Sequence, residues 1–287
     1  MEQVKIIECP RDAMQGIKEM IPTDLKVQYI QSLLRCGFDT IDFGSFVSPK
    51  AIPQMVDTAE VLSKLDLSRT NSKLLAIIAN LRGATDAVKH PEIDYLGFPF
   101  SISENFQMRN THKTIAESVD VLKQILDVAG ENDKELVVYI SMGFGNPYGD
   151  PWNVEIVGEW TEKLAGMGVK ILSLSDTVGT SDPETIDYLF SNLIPKYPNV
   201  EFGAHLHTTP TTWHEKVDAA FKAGCRRFDG AIQGFGGCPM AKDELTGNMP
   251  TEKMVSYFNT AKVDIGVNAM SFESSYNEAT KIFTKYH

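Results

Sequence analysis

"TIAESVDVLKQILDVAGENDKELVVYISM" occupies residues 114–142, and its two halves follow different periods. Residues 114–130 are amphipathic at helical spacing, whereas "LVVYISM" (136–142) is one continuous apolar run of strand length. The run upstream, "IDYLGFPF" (93–100), is of the same kind. A buried strand, a helix and a second buried strand in that order imply a crossover connection, so the two strands lie parallel in one sheet.

The same alternation extends in both directions. Candidate strands are "VKIIEC" (4–9), "TIDFGS" (40–45), "LLAIIAN" (74–80), "KILSLSD" (170–176), "FGAHLH" (202–207) and "RFDGAI" (227–232), in addition to the two already quoted. Amphipathic segments at 23–37, 153–168 and 213–225 lie between them. Thr23, Asp182 and Thr251 are expected as helix N-caps, and Gly37, Gly130 and Gly168 as C-terminal stops. Eight strands alternating with helices favour an α/β fold closed into a single-domain TIM (β/α)8 barrel. The expected domain is the whole chain, 1–287, with the barrel at about 4–262 and a C-terminal helical extension over 263–287. No linker, charge block, low-complexity segment or repeat divides it.

Composition narrows the function. The 287 residues are 43% hydrophobic and carry a formal net charge of -11, with no basic stripe of the kind a nucleic-acid binder shows. No apolar stretch approaches the roughly 20 residues that cross a bilayer. Cys9, Cys36, Cys225 and Cys238 form no CxxC pair, which fits free thiols in a reducing compartment. The opening "MEQVKIIECP" enters a strand by about Val4 and is expected to carry no leader peptide, so a cytoplasmic location is expected. The expected partner is a small molecule, not a nucleic acid or a membrane; a homo-oligomer is compatible with all of this.

In a barrel of this kind the chemistry sits at the C-terminal ends of the strands. Those ends supply Glu8, Arg11 and Asp12, then Asp42 and Ser45, Asn80, Ser141, Asp176, and His205 with His207. The eighth strand leads into "GAIQGFGGCPMAKDELTGN", a Gly-rich segment with Cys238 and Asn248. Polar groups are costly in a barrel interior unless paired or functional. His205 and His207, two apart on a strand, point to one face. Joined by Asp12 and Asn248, they make a mixed N/O set that suits Mg²⁺ or Mn²⁺, with other divalent cations such as zinc still open. Asp176 either caps the turn after its strand or supports the site.

The segments "ECPRDAMQ", "SFVSPKAIPQM", "SENFQMRN", "LSDTVGT", "AHLHT" and "GFGGCPMAKDELTGNMPTE" together resemble the 3-hydroxy-3-methylglutaryl-CoA lyases. These belong to a superfamily of barrel metallolyases that also contains isopropylmalate and homocitrate synthases. The resemblance implies retro-Claisen cleavage of an acyl-CoA substrate to acetyl-CoA and acetoacetate with a divalent cation. It implies Asp12, His205, His207 and Asn248 as metal ligands, Arg11 as the enolate-stabilising cation, and Cys238 as the proton donor. Asp42 stands where the family has a glutamate, and Glu252 matches an acidic residue beyond the Gly-Asn. His205 or Asp12 is the expected base. Gln15, Ser45, Asp176 and Glu252 are candidates for contacting the substrate or supporting the ligands. Lys18, Lys50 and Arg109 are candidate CoA-binding cations.

The chain also departs from the family pattern. Cys9 and Ala13 replace glycines beside the Arg-Asp pair, Thr208 follows the HxH in place of an aspartate, Val137 stands at an arginine position and Asn146 at a cysteine. Three other readings stay open: a lyase for another 3-hydroxyacyl-CoA, a synthase condensing an acyl-CoA with a 2-oxo acid, and a metal- or acyl-CoA-binding barrel without turnover. The length leaves little room for the extra domains of most such synthases, and binding alone needs no proton donor such as Cys238.

Overall fold

In the computed structural model, which describes residues 3–237 and 246–286, all eight expected strands form. They are β1 (Lys5–Glu8), β2 (Thr40–Ser45), β3 (Lys73–Ile77), β4 (Tyr95–Ser101), β5 (Glu135–Ser141), β6 (Ile171–Asp176), β7 (Glu201–Thr208) and β8 (Arg227–Gly230). Neighbours pair in parallel around the order β6-β5-β4-β3-β2-β1-β8-β7, and a β6–β7 pairing closes the ring. Beyond its first residue every position of β5 is buried, which is why the apolar run shows no alternation.

Helices cover the outside. The quoted segment gives helix Ile115–Glu131, started by a capping box between Thr114 and Glu117. The C-terminal helix Ala269–Tyr286 packs on helix Thr23–Leu33 and the chain after it, with Tyr29 edge-on to Phe283 and Phe38 edge-on to Phe272, both at 6.0 Å. No helix among the described residues is long and apolar enough to cross a membrane.

Several local expectations are corrected. Thr23 and Thr251 are the first helical residues, with Pro22 and Pro250 as the N-caps. Their hydroxyls donate elsewhere, Thr23 to Asp57 at 2.8 Å and Thr251 to Glu8 at 2.5 Å. Asp182 does cap its helix, accepting from the Thr185 N–H at 2.8 Å. Gly130 lies inside its helix and stops nothing, whereas Gly37 and Gly168 take positive φ of 83° and 95°. Arg11 and Asp12 sit one step past β1, on the short helix Pro10–Gln15.

The inner face of the barrel is chemically divided. Leu75, Ile77, Val137, Tyr139 and Ile171, on β3, β5 and β6, form an apolar cluster. Polar side chains gather on the other side: Asp42 on β2, Ser173 and Ser175 on β6, His205 and His207 on β7, Asp229 on β8. That division puts the site at one wall of the mouth.

Candidate active site

The helix Pro10–Gln15 starts with proline, whose fixed φ suits a first helical position, and it turns the chain inward immediately above β1. Arg11 and Asp12 are thereby buried at the mouth. Asp42, midway along β2, grips the guanidinium with both oxygens: Nε donates at 3.2 and 3.1 Å and Nη2 at 2.5 Å. The remaining nitrogen, Nη1, donates to Asp12 Oδ1 at 2.8 Å and to Gln15 Oε1 at 2.9 Å, and Gln15 Nε2 donates back to Asp12 at 2.7 Å. A guanidinium held on three sides is a fixed positive charge. Burial alone would raise the Asp12 carboxyl, but Arg11, followed by His205, Asn248 and His207, holds it at about 2.

His205 and His207 leave β7 on one face, with ring centroids 5.3 Å apart. The short strand β9 (Gly247–Asn248) pairs antiparallel with β7, His207 opposite Asn248, and so delivers the amide to the same corner. Asn248 Nδ2 donates to Asp12 Oδ2 at 2.6 Å and to the Phe235 carbonyl at 2.8 Å. The Thr208 hydroxyl, after the HxH, donates to the Asn248 carbonyl at 3.4 Å.

Asp12, His205 and His207 each offer one donor atom within 4.8 Å of the others. Both ring nitrogens of His207 are buried without a hydrogen-bond partner among the described residues. Burial first, then the neighbouring His205, depresses that imidazole to about 4, so it is neutral and able to ligate at pH 7. A neutral, unpartnered imidazole beside a carboxylate fits a divalent ion held by nitrogen and oxygen. A second group, Cys9, His205 and Asp229, also meets the distance condition, but the Asp229 carboxylate there already engages the His205 ring.

Two supports are invisible in the motifs. His205 Nδ1 lies 3.1 Å from Asp229 Oδ2 on β8, which fixes the ring and leaves Nε2 for the mouth. Burial would lower the His205 pKa, but the hydrogen bond and the charge of Asp229, joined by the charge of Asp12, together outweigh it, so the value rises. Lys216 is buried in helix Trp213–Lys222 and donates to Asp176 at 2.8 Å, to the His207 carbonyl at 2.9 Å and to the Gly179 carbonyl at 3.1 Å. Asp176 also receives the Ser181 N–H and hydroxyl, at 3.1 and 2.5 Å, so it both holds the turn after β6 and supports the histidine strand. An isolated carboxylate inside "RFDGAI" is the one sequence signal that could have marked Asp229. Lys216 beside Val217 in an amphipathic helix gave none.

The remaining candidates are dispersed. A cavity of about 450 Å³ opens over the corner, lined by Arg11, Gln15, His205 and His207 on one side and by Ile77 and Tyr139 on the other. Arg109 lines it too, its guanidinium 5.0 Å from the Tyr148 ring centroid. A second cavity of about 830 Å³ shares Asp12 and Gln15 and reaches Lys18 at the surface. Lys50 is exposed and lines neither. The Ser45 hydroxyl accepts the Val47 N–H at 3.1 Å and Glu252 accepts the Gln233 N–H at 2.9 Å; neither side chain lines these cavities. Of the departures, Val137 is fully buried in the apolar cluster, and Asn146 ties its own turn, its side chain bonded to Tyr148 and Asp150. Cys238 lies outside the described residues.

A family model described as HMGL-like matches residues 3–277. The chain is 31% identical over 268 residues, 93% of its length and 77% of the relative's, to a protein of Rattus norvegicus named 3-hydroxy-3-methylglutaryl-CoA lyase, cytoplasmic. Among solved structures, the HMG-CoA lyase of Bacillus subtilis superposes with a TM-score of 0.92 at 29% identity, covering 99% of this chain and 95% of that one. An HMG-CoA lyase from Acinetobacter baumannii, solved with coenzyme A and 3-methylmalate, gives 0.90 at 27% identity, covering 98% and 93%.

Proposed function

The chain belongs to the HMGL-like family, and from that premise we propose a divalent-metal-dependent carbon–carbon lyase that cleaves 3-hydroxy-3-methylglutaryl-CoA to acetyl-CoA and acetoacetate. The observation that carries the reading is the convergence of Asp12, His205 and His207 within 4.8 Å, beside the immobilised Arg11. Asp12, His207 and Asn248, with His205, are the residues we assign to the ion, which we take to be Mg²⁺ or Mn²⁺. When bound, such an ion supplies Lewis acidity that makes the substrate's tertiary hydroxyl more acidic.

Asp12, held at about 2, is a poor proton acceptor, whereas His205, raised by Asp229, is a better one. We therefore assign the hydroxyl proton to His205 at Nε2, the nitrogen that Asp229 leaves free, so that Asp12, His207 and Asn248 would hold the ion while the proton is on His205. Loss of that proton turns C3 into a ketone carbon as the C2–C3 bond breaks, and the bonding pair passes to C2 as a thioester enolate. Arg11 faces the cavity with its charge fixed in place by Asp42 and stabilises that developing anion. A proton delivered to C2 completes acetyl-CoA; by resemblance Cys238 is assigned as its donor. Lys18 and Arg109, along the two cavities, remain candidate contacts for the CoA arm. A cytoplasmic setting follows the name of the rat relative.

The apolar wall around Val137 and Tyr139 favours, as second reading, the same chemistry on another 3-hydroxyacyl-CoA. Purified protein supplied with Mn²⁺ and 3-hydroxy-3-methylglutaryl-CoA should release acetoacetate and acetyl-CoA in equal amounts. Cleavage of a different 3-hydroxyacyl-CoA with none of this one would select the second reading. Thiol release from acetyl-CoA and a 2-oxo acid would select a synthase, and silence throughout a binding barrel.

A further inference from the structure

One buried cation has no part in this account. Arg227 begins β8, is 1% exposed, and its guanidinium enters the barrel 5.7 Å from the Tyr95 ring centroid. Among the described residues only Nη1 meets carboxylates, Glu201 at 3.4 Å and Asp39 at 3.9 Å, and Glu201 is already held by Lys5 at 2.7 Å. Nε and Nη2 are buried without a partner among the described residues. A charge so placed is expensive unless its donors are used.

Matching acceptors lie on the same strand and on a near neighbour. Asp229 follows by two residues on the same strand, hence on the same inward face. Its Oδ2 meets His205 Nδ1, while its Oδ1 is buried and unpartnered. Ser173 Oγ is unpartnered too. Strand register places Ser173 opposite Gly203, and Gly203 opposite Arg227. A Cβ on Gly203 would stand 3.1 Å from Ser173 Oγ and 3.2 Å from Arg227 Cδ, so the glycine lets the two side chains meet over it. Buried donors and acceptors without partners thus lie on one strand and its near neighbours, the setting in which an ordered water serves as a bridge.

We infer that Arg227, together with Ser173, is a positioning residue that anchors the free oxygen of Asp229, so that Asp229 holds His205 and aims its Nε2 at the ion. The inference rests on the metal-site reading above. Nothing in it requires Arg227 to touch substrate.

The test uses the full chain, freed of metal and titrated calorimetrically with Mn²⁺ alone. Arg227→Met and Asp229→Asn should each weaken Mn²⁺ binding about 10-fold or more, the scale of a lost outer partner of a ligating histidine. Arg227→Lys should restore affinity to within about threefold of the parent. Because Arg227 acts only through Asp229, the double variant should bind no more weakly than Asp229→Asn alone. Arg227→Met leaves a buried carboxylate uncompensated and can fail to fold; the double variant removes both charges and supplies the same comparison. A folded Arg227→Met that binds Mn²⁺ like the parent, or a further loss in the double variant, overturns the inference. A parent that binds no Mn²⁺ sinks the metal reading itself, and this inference with it.

Discussion

The ammonium of Lys216 lies 2.9 Å from the carbonyl oxygen of His207, and Asp176 holds the same ammonium at 2.8 Å. A charge pair fully inside the protein therefore fixes the backbone of a proposed metal ligand. Lys216→Met should destabilise the protein by about 3–5 kcal/mol, because Asp176 is left charged and buried. Pairing it with Asp176→Asn should recover much of the stability. Mn²⁺ affinity should stay low in both, since the His207 carbonyl remains untethered. Denaturant titration and calorimetry separate the two effects; a double variant with parental affinity would show that the pair serves stability alone.

Arg11→Lys should lower kcat by about 10²-fold or more, the cost of losing a preorganised group at a developing anion. An ammonium cannot reproduce the three-sided hold of Asp42, Asp12 and Gln15 on a planar fork. Steady-state kinetics at saturating thioester check this, and a kcat within a few-fold of the parent would remove Arg11 from the reaction.

Glu8 supplies a pH signature distant from the chemistry. Burial pushes its carboxyl up to about 8, partly opposed by the Thr251 hydroxyl and the Ile232 N–H. The folded state therefore keeps a proton that the unfolded chain releases near pH 4.5. Its stabilising contribution is complete below pH 4.5 and disappears as pH rises to about 8. Glu8→Gln, which cannot ionise, should flatten the fall in stability across that window. Denaturation midpoints at several pH values test this; equal slopes in parent and variant would contradict it.

Gly236 takes a φ of +85°, and a Cβ there would stand 2.5 Å from the Asp12 carbonyl oxygen and 2.8 Å from Asn248 Nδ2. Gly236→Ala combines backbone strain with displacement of two proposed ligands. Mn²⁺ affinity should fall by about 10-fold or more while the far-ultraviolet spectrum is kept.

The strands are legible because both faces of each are largely buried, which leaves short, mostly apolar runs between the helical segments. Asp12, Asp42, His205 and His207 read clearly because they are polar residues set where such runs end. A threonine just inside a helix, as Thr23 and Thr251 are, has the same local signature as a cap, and its partner comes from another part of the chain. Asp229 and Lys216 owe their contacts to neighbours on other elements. Their partners (His205, His207 and Asp176) lie on other strands, and Arg227 gains its proposed role only through Asp229.

The most direct test of the account is a crystal of this protein grown with Mn²⁺ and examined by anomalous scattering. One strong peak is expected within bonding distance of Asp12, His205, His207 and Asn248. A strong peak elsewhere with none at that corner, or an empty corner at saturating Mn²⁺, would contradict it.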